Sequence, residues 1–225
     1  MADNRASSRS VYFPPLAWAD EHGLLMLGGK LTPEWLLDAY SRGIFPWPIT
    51  TSEGWILAWF SPDPRAILEL DQLHVSRRLQ RRLRSGAHEV TRNLDFSAVV
   101  AGCAEPRADA EGTWITSEIA AAYSQLHRLG YAHSVEVWEE GQLVGGVYGV
   151  ALGGFFSGES MFHRRRDASK IALVHLVEHL RERGFSLFDI QQWTPHLGRM
   201  GAIEIPRSEY LQRLRTALSA QVSFA

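Results

Sequence analysis

The chain has 225 residues, of which 45% are hydrophobic and 21% are charged, and its formal net charge at pH 7 is -2. This composition excludes a disordered or fibrous protein and predicts a globular chain with one sizeable domain and a smaller one. The single cysteine, Cys103, excludes an intramolecular disulfide and fits a reducing compartment such as the cytoplasm. No apolar run approaches the length of a membrane span, and the polar start lacks the apolar core of a secretory signal.

The first part of the chain predicts a strand, a helix and a rigid loop. Leu24–Leu27, followed by two glycines, is typical of a short strand that enters a turn. Thr32 is a favourable N-cap, and Pro33 a favourable first residue, of a helix that continues to about Arg42. The two prolines in Phe45–Pro48 fix the backbone, so this segment predicts an irregular loop.

A second proline-stiffened corner, Ser61–Arg65, predicts a domain boundary. We expect one domain at residues 1–62 and a larger one at residues 63–225, in which strands and helices alternate. Further strands are predicted at residues 66–70, 134–138, 143–148, 151–156 and around 188–192, and helices at 76–85, 96–103, 116–130, 167–183 and from about 208.

The helix predicted from Ser76 is rich in arginine. No acidic residue lies within it to pair with the guanidinium groups. A solvated charged face is one interpretation, but unpaired guanidinium groups favour contact with nucleic-acid phosphates, which a chain of slightly negative net charge must meet with a local basic patch. The arginines predicted to make these contacts are Arg77, Arg78, Arg81 and Arg82.

Two stretches contain the candidate reactive groups. The first, residues 153–162, places Glu159 among glycines and large apolar residues, where the pKa of a carboxyl group tends to be perturbed. The second is a predicted buried strand in which Asp189 and Gln191 share one face by the period of two. The alternative is that the Asp189 carboxylate only caps a neighbouring loop.

Two other enzyme classes match parts of the sequence. His175 and His179, with Glu178 between them, fit the H-x-x-E-H pattern of a class of zinc peptidases. At about 100° per residue both histidines fall nearly opposite the apolar stripe of their helix, so we expect them to face solvent and not to bind zinc. Glu159 and Asp189 would also suit a glycosidase, which leaves the arginine-rich helix without a role.

Several motifs, taken in their order and spacing, resemble those of the leucyl/phenylalanyl-tRNA–protein transferase family. They are LLMLGGKL, AYSRGIFPWP, WFSPDPRAIL, EGTWIT, HSVEVWEEGQLVGGVYG, FFSGESMF, ASKIAL, FDIQ and GAIEIPRSEYL, and the similarity runs from about Phe13 to Leu211. The resemblance implies an α+β fold: a small N-terminal α/β domain, then an acetyltransferase-like (GNAT-type) domain with a mixed sheet. The loop at residues 163–168 lacks the glycine of the acetyl-CoA fingerprint, which argues against acetyl-CoA.

The resemblance implies an aminoacyltransferase that forms a peptide bond. It would move Leu or Phe, and Met less well, from aminoacyl-tRNA to the N-terminal Arg or Lys of acceptor proteins, marking them for N-degron degradation. We expect a cytoplasmic monomer that needs no metal, organic cofactor or membrane. Two alternatives stay open, a non-catalytic module that binds aminoacyl-tRNA or protein N-termini, and a GNAT-type acyltransferase that requires acyl-CoA.

The resemblance also implies roles for individual residues. Asp189 would polarise Gln191, whose amide oxygen accepts from the acceptor amine, and Glu159 would bind the cationic acceptor or stabilise the developing ammonium. Trp47 and Trp114 match the aromatic residues that stack on the 3′ adenine of tRNA. For each tryptophan, ordinary packing is the alternative.

The pocket for the donor side chain is implied in the same way. Phe156 and Met161 match the family's apolar pocket, although both also suit ordinary core packing. Val147 and Leu176 stand where the family commonly has the larger Met and Phe. Because smaller walls leave more volume, we expect a higher ratio of Phe to Leu transfer than in relatives with the bulkier lining.

Overall fold

The computed structural model describes residues 10–52, 54–106 and 113–225. The helices in these ranges are α1 (Pro33–Ser41), α2 (Arg77–Arg84), α3 (Phe96–Ala104), α4 (Ser117–Arg128), α5 (Ala168–Glu182), α6 (Pro195–Gly198) and α7 (Arg207–Leu218). The strands are β1 (Leu24–Leu27), β2 (Phe45–Pro46), β3 (Ile49–Thr51), β4 (Gly54–Ile56), β5 (Ala58–Phe60), β6 (Arg65–Leu68), β7 (Glu89–Arg92), β8 (Ala132–Glu139), β9 (Gln142–Leu152), β10 (Phe155–His163), β11 (Leu187–Gln191) and β12 (Ala202–Ile205).

The strands form two principal sheets. The smaller sheet has the order β1-β5-β2, and β3 and β4 form a separate hairpin. The larger sheet has the order β12-β6-β11-β10-β9-β8-β7. It is mixed, because β10 and β11 are parallel whereas the other neighbouring pairs are antiparallel. The predicted α+β class with a mixed sheet is confirmed.

Sheet membership changes between β5 and β6. We propose that the two domains meet there, in agreement with the boundary between residues 62 and 63 that the sequence predicts. The N-terminal part departs from the sequence prediction at Phe45–Pro46, which forms a short strand instead of an irregular loop. Pro46 is tolerated because β2 is an edge strand, where the missing backbone N–H removes no hydrogen bond between strands.

The larger sheet is packed on both faces. One face meets α1, α3, α4 and α7 through a core that includes Tyr148 and Phe155. The other meets α2 and α5 through a core that includes Val147, Phe156 and Leu176. Helices on both faces fix the sheet rigidly, which allows strand ends to position reactive groups.

The strand predicted at residues 151–156 is wrong. β9 continues through Leu152, and Gly153 turns the chain with a φ of 54° before β10 begins at Phe155. A Cβ atom at this position would lie 2.8 Å from the Leu218 carbonyl oxygen, so a glycine is required. Glu159 therefore lies within β10, on a rigid strand and not in a loop.

The last residues of the chain form a strap across the larger sheet. Phe224 is buried, and its ring stacks on His133 at 4.3 Å between ring centroids and on Phe156 at 5.6 Å. The Nε2 atom of His179 lies 2.7 Å from the Phe224 carbonyl oxygen. The prediction that His179 faces solvent is therefore wrong, because the strap covers it; His175 is half-buried.

No described helix combines the length and apolar character needed to cross a membrane. Within the described residues, no three His, Cys, Asp or Glu side chains lie close enough together to hold a metal ion.

Candidate active site

A cavity of about 620 Å³ opens where β10 and β11 separate. The two strands pair only from Phe155–Leu187 to Ser157–Asp189. Residues of both strands then line the cavity. Lining residues from these strands are Gly158, Glu159, Ser160, Met161, Phe188, Ile190 and Gln191.

Glu159 is a half-buried residue whose carboxyl group accepts several hydrogen bonds. Its Oε2 accepts from Tyr123 at 2.8 Å, and its Oε1 accepts from Ser157 at 2.9 Å. The hydroxyl groups of Tyr123 and Tyr40 share a short hydrogen bond. Burial raises the pKa of Glu159 to about 7, and the hydroxyl donors oppose that rise. The carboxyl group therefore changes protonation near neutral pH.

This environment predicts an unusual dependence of stability on pH. In the unfolded chain the Glu159 carboxyl group has its ordinary pKa of 4.5, whereas burial raises the folded pKa to about 7. The folded state binds more protons between these values, so its stability falls as pH rises through them. Gln does not titrate, so the free energy of unfolding of Glu159→Gln should rise relative to that of the wild type as pH increases across this window, by up to about 1.4 kcal/mol per pH unit. Urea unfolding between pH 5 and 8 checks this, and a difference that stays constant with pH contradicts it.

Asp189 does not line the cavity. Its carboxylate is fully buried and accepts from Arg65 at 2.8 Å and 2.6 Å, and from the Tyr210 hydroxyl at 2.9 Å. Burial alone would lower the pKa of Arg65, but the adjacent carboxylate raises it, so the guanidinium stays charged. Arg65 also donates to the carbonyl of Gly43. The hydrogen bond from Arg65 to Gly43 therefore links residues 63–225 to residues 1–62.

The Gln191 side chain does not point to the same face of β11 as Asp189, although the sequence predicts that it does. Its φ is 59°, and the pairing of β11 with β6 shifts register between Asp189 and Gln191. The Gln191 backbone N–H donates to Asp189 at 2.9 Å, while its Nε2 donates to Ser157 at 2.7 Å and approaches Glu159 at 3.5 Å. Asp189 thus acts on the backbone of Gln191 and not on its amide group, and the two side chains do not share a face.

Two tryptophans meet at another side of the cavity. Trp47 and Trp114 stack on each other with ring centroids 5.1 Å apart and an angle of 16° between the planes. Both line the cavity, and Trp47 is 36% exposed. The Trp47 backbone N–H donates to the Ala58 carbonyl oxygen at 2.8 Å, which fixes the loop that carries Trp47. The structure brings together two residues that lie far apart in sequence.

The apolar wall agrees with the sequence prediction only in part. Val147 and Met161 line the cavity, together with Leu173, Phe188 and Ile190. Phe156 and Leu176 lie outside this lining, in the core between the sheet and α5. In place of Leu176, the residue of α5 that reaches the cavity is Leu173, almost one turn earlier.

The arginines of α2 are not all unpaired. Arg78 donates to Asp167 at 3.0 Å, and Arg82 pairs with Glu139. Both partners come from other parts of the chain, so the absence of acidic residues within the helix misled the prediction. Arg77 and Arg81 are exposed and make no ion pair within the described ranges.

Sequence reasoning missed the side chains that form hydrogen bonds around Glu159 and Asp189. They are Tyr40, Arg65, Tyr123, Ser157 and Tyr210. Ser157 could have been predicted, because it lies two residues before Glu159 and therefore on the same face of the strand. The others come from distant elements and carry no local signal.

Comparison with known proteins identifies the family. The model of the leucyl/phenylalanyl-tRNA protein transferase matches residues 67–215, and the model of its N-terminal domain matches residues 29–63. The leucyl/phenylalanyl-tRNA–protein transferase of Stutzerimonas stutzeri is 54% identical over 204 residues, covering 90% of this chain and 89% of that relative. The chain belongs to this family. The transferase of Nitrosospira multiformis is 52% identical over 210 residues, covering 92% of this chain and 89% of its own.

Solved structures are much more distant from this transferase family member. A GCN5-related N-acetyltransferase from Kribbella flavida is 12% identical, with a TM-score of 0.40, covering 78% of this chain and 61% of that one. The C-terminal domain of a putative lysylphosphatidylglycerol synthetase from Agrobacterium fabrum is 11% identical, with a TM-score of 0.42, covering 84% and 60%. These likenesses are too remote to support an argument about the site.

Proposed function

We propose that this chain transfers Leu or Phe, and Met less well, from aminoacyl-tRNA to the N-terminus of acceptor proteins. Membership of the transferase family supports this reaction. The observation that carries the proposal is a single cavity lined by stacked indoles, an apolar wall, and the half-buried carboxyl group of Glu159 beside the amide of Gln191. An aminoacylated adenosine and an attacking amine need these three kinds of surface.

The donor fits the indoles and the apolar wall. Trp47 and Trp114 offer flat faces to the 3′ adenine, and stacking contributes about 1–3 kcal/mol per base. Val147, Met161 and Leu173 surround an apolar donor side chain. The ester carbonyl then lies between these surfaces, next to Glu159 and Gln191.

The chemistry uses the two polar side chains that line the cavity. The acceptor α-amine attacks the ester carbonyl carbon, so a C–N bond forms as the C–O bond to the tRNA ribose breaks. The amine loses one proton and the leaving ribose oxygen gains one. Glu159 as a carboxylate accepts the first proton and returns it to the ribose oxygen, for which a pKa of about 7 is well matched.

Gln191 and Asp189 position the amine. The Gln191 amide nitrogen already donates to Ser157, so its oxygen is the atom available to accept from the α-amine and aim it at the carbonyl. Asp189 is a positioning residue, because it holds the Gln191 backbone through the N–H and does not touch the cavity.

The acceptor side chain is proposed to be cationic. Glu159 lines the cavity and its carboxylate suits an N-terminal Arg or Lys and, through it, the marking of proteins for N-degron degradation. Aminoacyl-tRNA as the donor supports a cytoplasmic location.

One assay tests this proposal against its alternatives. The protein is incubated without coenzyme A, with labelled Leu-tRNA and a protein that begins with Arg. Label in the acceptor protein is the expected result. Retention of labelled tRNA without transfer would indicate a binding module, and transfer only from acyl-CoA would indicate an acyltransferase; either result overturns the proposal.

Donor selectivity is predicted to depend on Leu173. Leu173→Phe narrows the cavity, so it should lower the ratio of Phe to Leu transfer by about tenfold. This is the low end of the discrimination that a loss of about 1–3 kcal/mol of apolar contact produces. Leu176→Phe is the matched control, because it makes the same change on the same helix outside the lining. Competing Phe-tRNA and Leu-tRNA in one reaction gives the ratio independently of the folded fraction. An equal effect of both variants would contradict the assignment of Leu173, and not Leu176, to the pocket for the donor side chain.

A further inference from the structure

A third tryptophan lies beyond the cavity lining, on the hairpin of β3 and β4. Trp55 is 45% exposed, and the transfer reaction described above gives it no role. Single exposed apolar side chains are common on protein surfaces, so exposure alone assigns no function. The position of the indole relative to the cavity decides whether it can contact a substrate.

The hairpin is an extension of the smaller sheet. Pro46 of β2 pairs with Trp59 of β5, and Ile49 of β3 pairs with Ile56 of β4. Each strand advances three residues between these two pairs, so the hairpin continues the register of β2 and β5. The side chains on the hairpin therefore have fixed directions relative to that sheet.

One face of the hairpin borders the cavity. Pro48 and Thr50 both line the cavity, and because they are two residues apart they point to the same side of the chain. Trp55 pairs directly with Thr50, and residues directly opposite each other in an antiparallel pair share a face. The Thr51 hydroxyl donates to the Gly54 carbonyl at 2.9 Å and holds the two strands together beside this pair. The Trp55 indole therefore lies on the cavity side of the hairpin.

The hairpin belongs to the donor side of the cavity. It begins two residues after Trp47, one of the two indoles proposed to bind the terminal adenine. At about 3.3 Å per residue of extended chain, the backbone of Thr50 lies within about 10 Å of that of Trp47. Two consecutive nucleotides of a single strand bridge a distance of this size. By contrast, Glu159 and Gln191, which receive the attacking amine, belong to β10 and β11 of the larger sheet.

We propose that Trp55 stacks on the base of the nucleotide that precedes the terminal adenosine of the donor tRNA. This inference rests on the proposed function, which makes aminoacyl-tRNA the donor. Every base has a flat π face, so stacking on an exposed indole requires no hydrogen-bond partner. The penultimate base of every tRNA is cytosine, so this subsite adds affinity for all donors without selecting the amino acid.

Two minimal donors test the subsite. Leucyl-adenosine carries only the terminal nucleoside, whereas leucyl-cytidylyl-adenosine adds the base that Trp55 would contact. For the wild type, we expect the KM of the dinucleotide donor to be about tenfold lower than that of leucyl-adenosine, at the low end of what one stacked base contributes. Trp55→Ala should abolish this difference between the two donors, and Trp55→Phe, which keeps an aromatic face, should retain most of it.

Two controls separate the base from its phosphate and from general effects of the substitution. A dinucleotide donor with an abasic nucleotide in place of cytidine keeps the phosphate, and it should have no advantage over leucyl-adenosine. Trp18→Ala is the matched variant, because Trp18 is 73% exposed and lies outside the cavity lining, so it should retain the whole advantage. An advantage that is missing in the wild type, survives Trp55→Ala, or is shared by the abasic donor overturns the subsite.

The acceptor provides the competing outcome. If Trp55→Ala raises the KM of the acceptor protein and not that of the donors, the indole contacts the acceptor and the proposal is wrong. Failure of the proposed function gives a different result, because the wild type then transfers leucine from none of the donors, Leu-tRNA included. Transfer from Leu-tRNA whose KM is the same for the wild type and Trp55→Ala overturns the subsite alone.

Discussion

Replacing Glu159 by Gln is expected to lower turnover above pH 7 by at least about 10²-fold. Gln keeps the shape of the side chain but cannot take a proton from the amine, and groups that handle protons typically contribute 10²–10⁴-fold. Below pH 7 the wild-type carboxyl group is increasingly protonated, since burial raises its pKa to about 7. Wild-type turnover should therefore fall towards acid pH, whereas the pH profile of the variant should lose this limb.

A fully buried glutamate outside the cavity provides the control. Glu136 on β8 is fully buried and accepts from Ser134 and Thr91, but it lies outside the cavity. Glu136→Gln should leave turnover per folded molecule near the wild-type value. If Glu159→Gln behaves like this control, Glu159 does not carry the proton.

Replacing Asp189 by Asn is expected to cost about 3–5 kcal/mol of folding free energy. The change leaves the Arg65 guanidinium buried without its charged partner, and breaking a buried pair from one side carries a cost of this size. Urea unfolding at pH 7 measures it. The double variant Arg65→Met and Asp189→Leu removes both charges and should be less destabilised than the single change.

An exposed pair provides the comparison for Asp189. Glu209 pairs with Arg213 at 2.6 Å, but both side chains are partly exposed. Glu209→Gln should therefore cost less than about 1 kcal/mol. A similarly small cost for Asp189→Asn would contradict the structural role of the buried pair. Loss of activity in the Asn variant has to be measured per folded molecule, because the fold and the position of Gln191 depend on the same carboxylate.

Local patterns were sufficient to predict most of the helices and strands. The arginine-rich helix, for example, begins after Ser76, whose side chain accepts from the backbone of Leu79 as an N-cap does. Such signals act over a few residues, and the sequence displays them directly. Glycines and apolar residues around Glu159 likewise indicated a carboxyl group with a perturbed pKa.

Long-range partners could not be predicted in this way. Arg65 and Asp189 are 124 residues apart, and neither position alone reveals the other. The positive φ of Gln191 breaks the period of two that the prediction relied on. On α5, both Leu173 and Leu176 are buried, so helical periodicity cannot tell which one faces the cavity and which one faces the core.

The contact between Trp47 and Trp114 gives the molecule an optical signal of its own. Two indoles stacked at 5.1 Å couple their electronic transitions and absorb as a pair. A nucleobase that enters between them separates the rings, whereas one that stacks on an outer face leaves the pair intact. The circular dichroism of the tryptophan bands therefore reports where the adenine sits without any label.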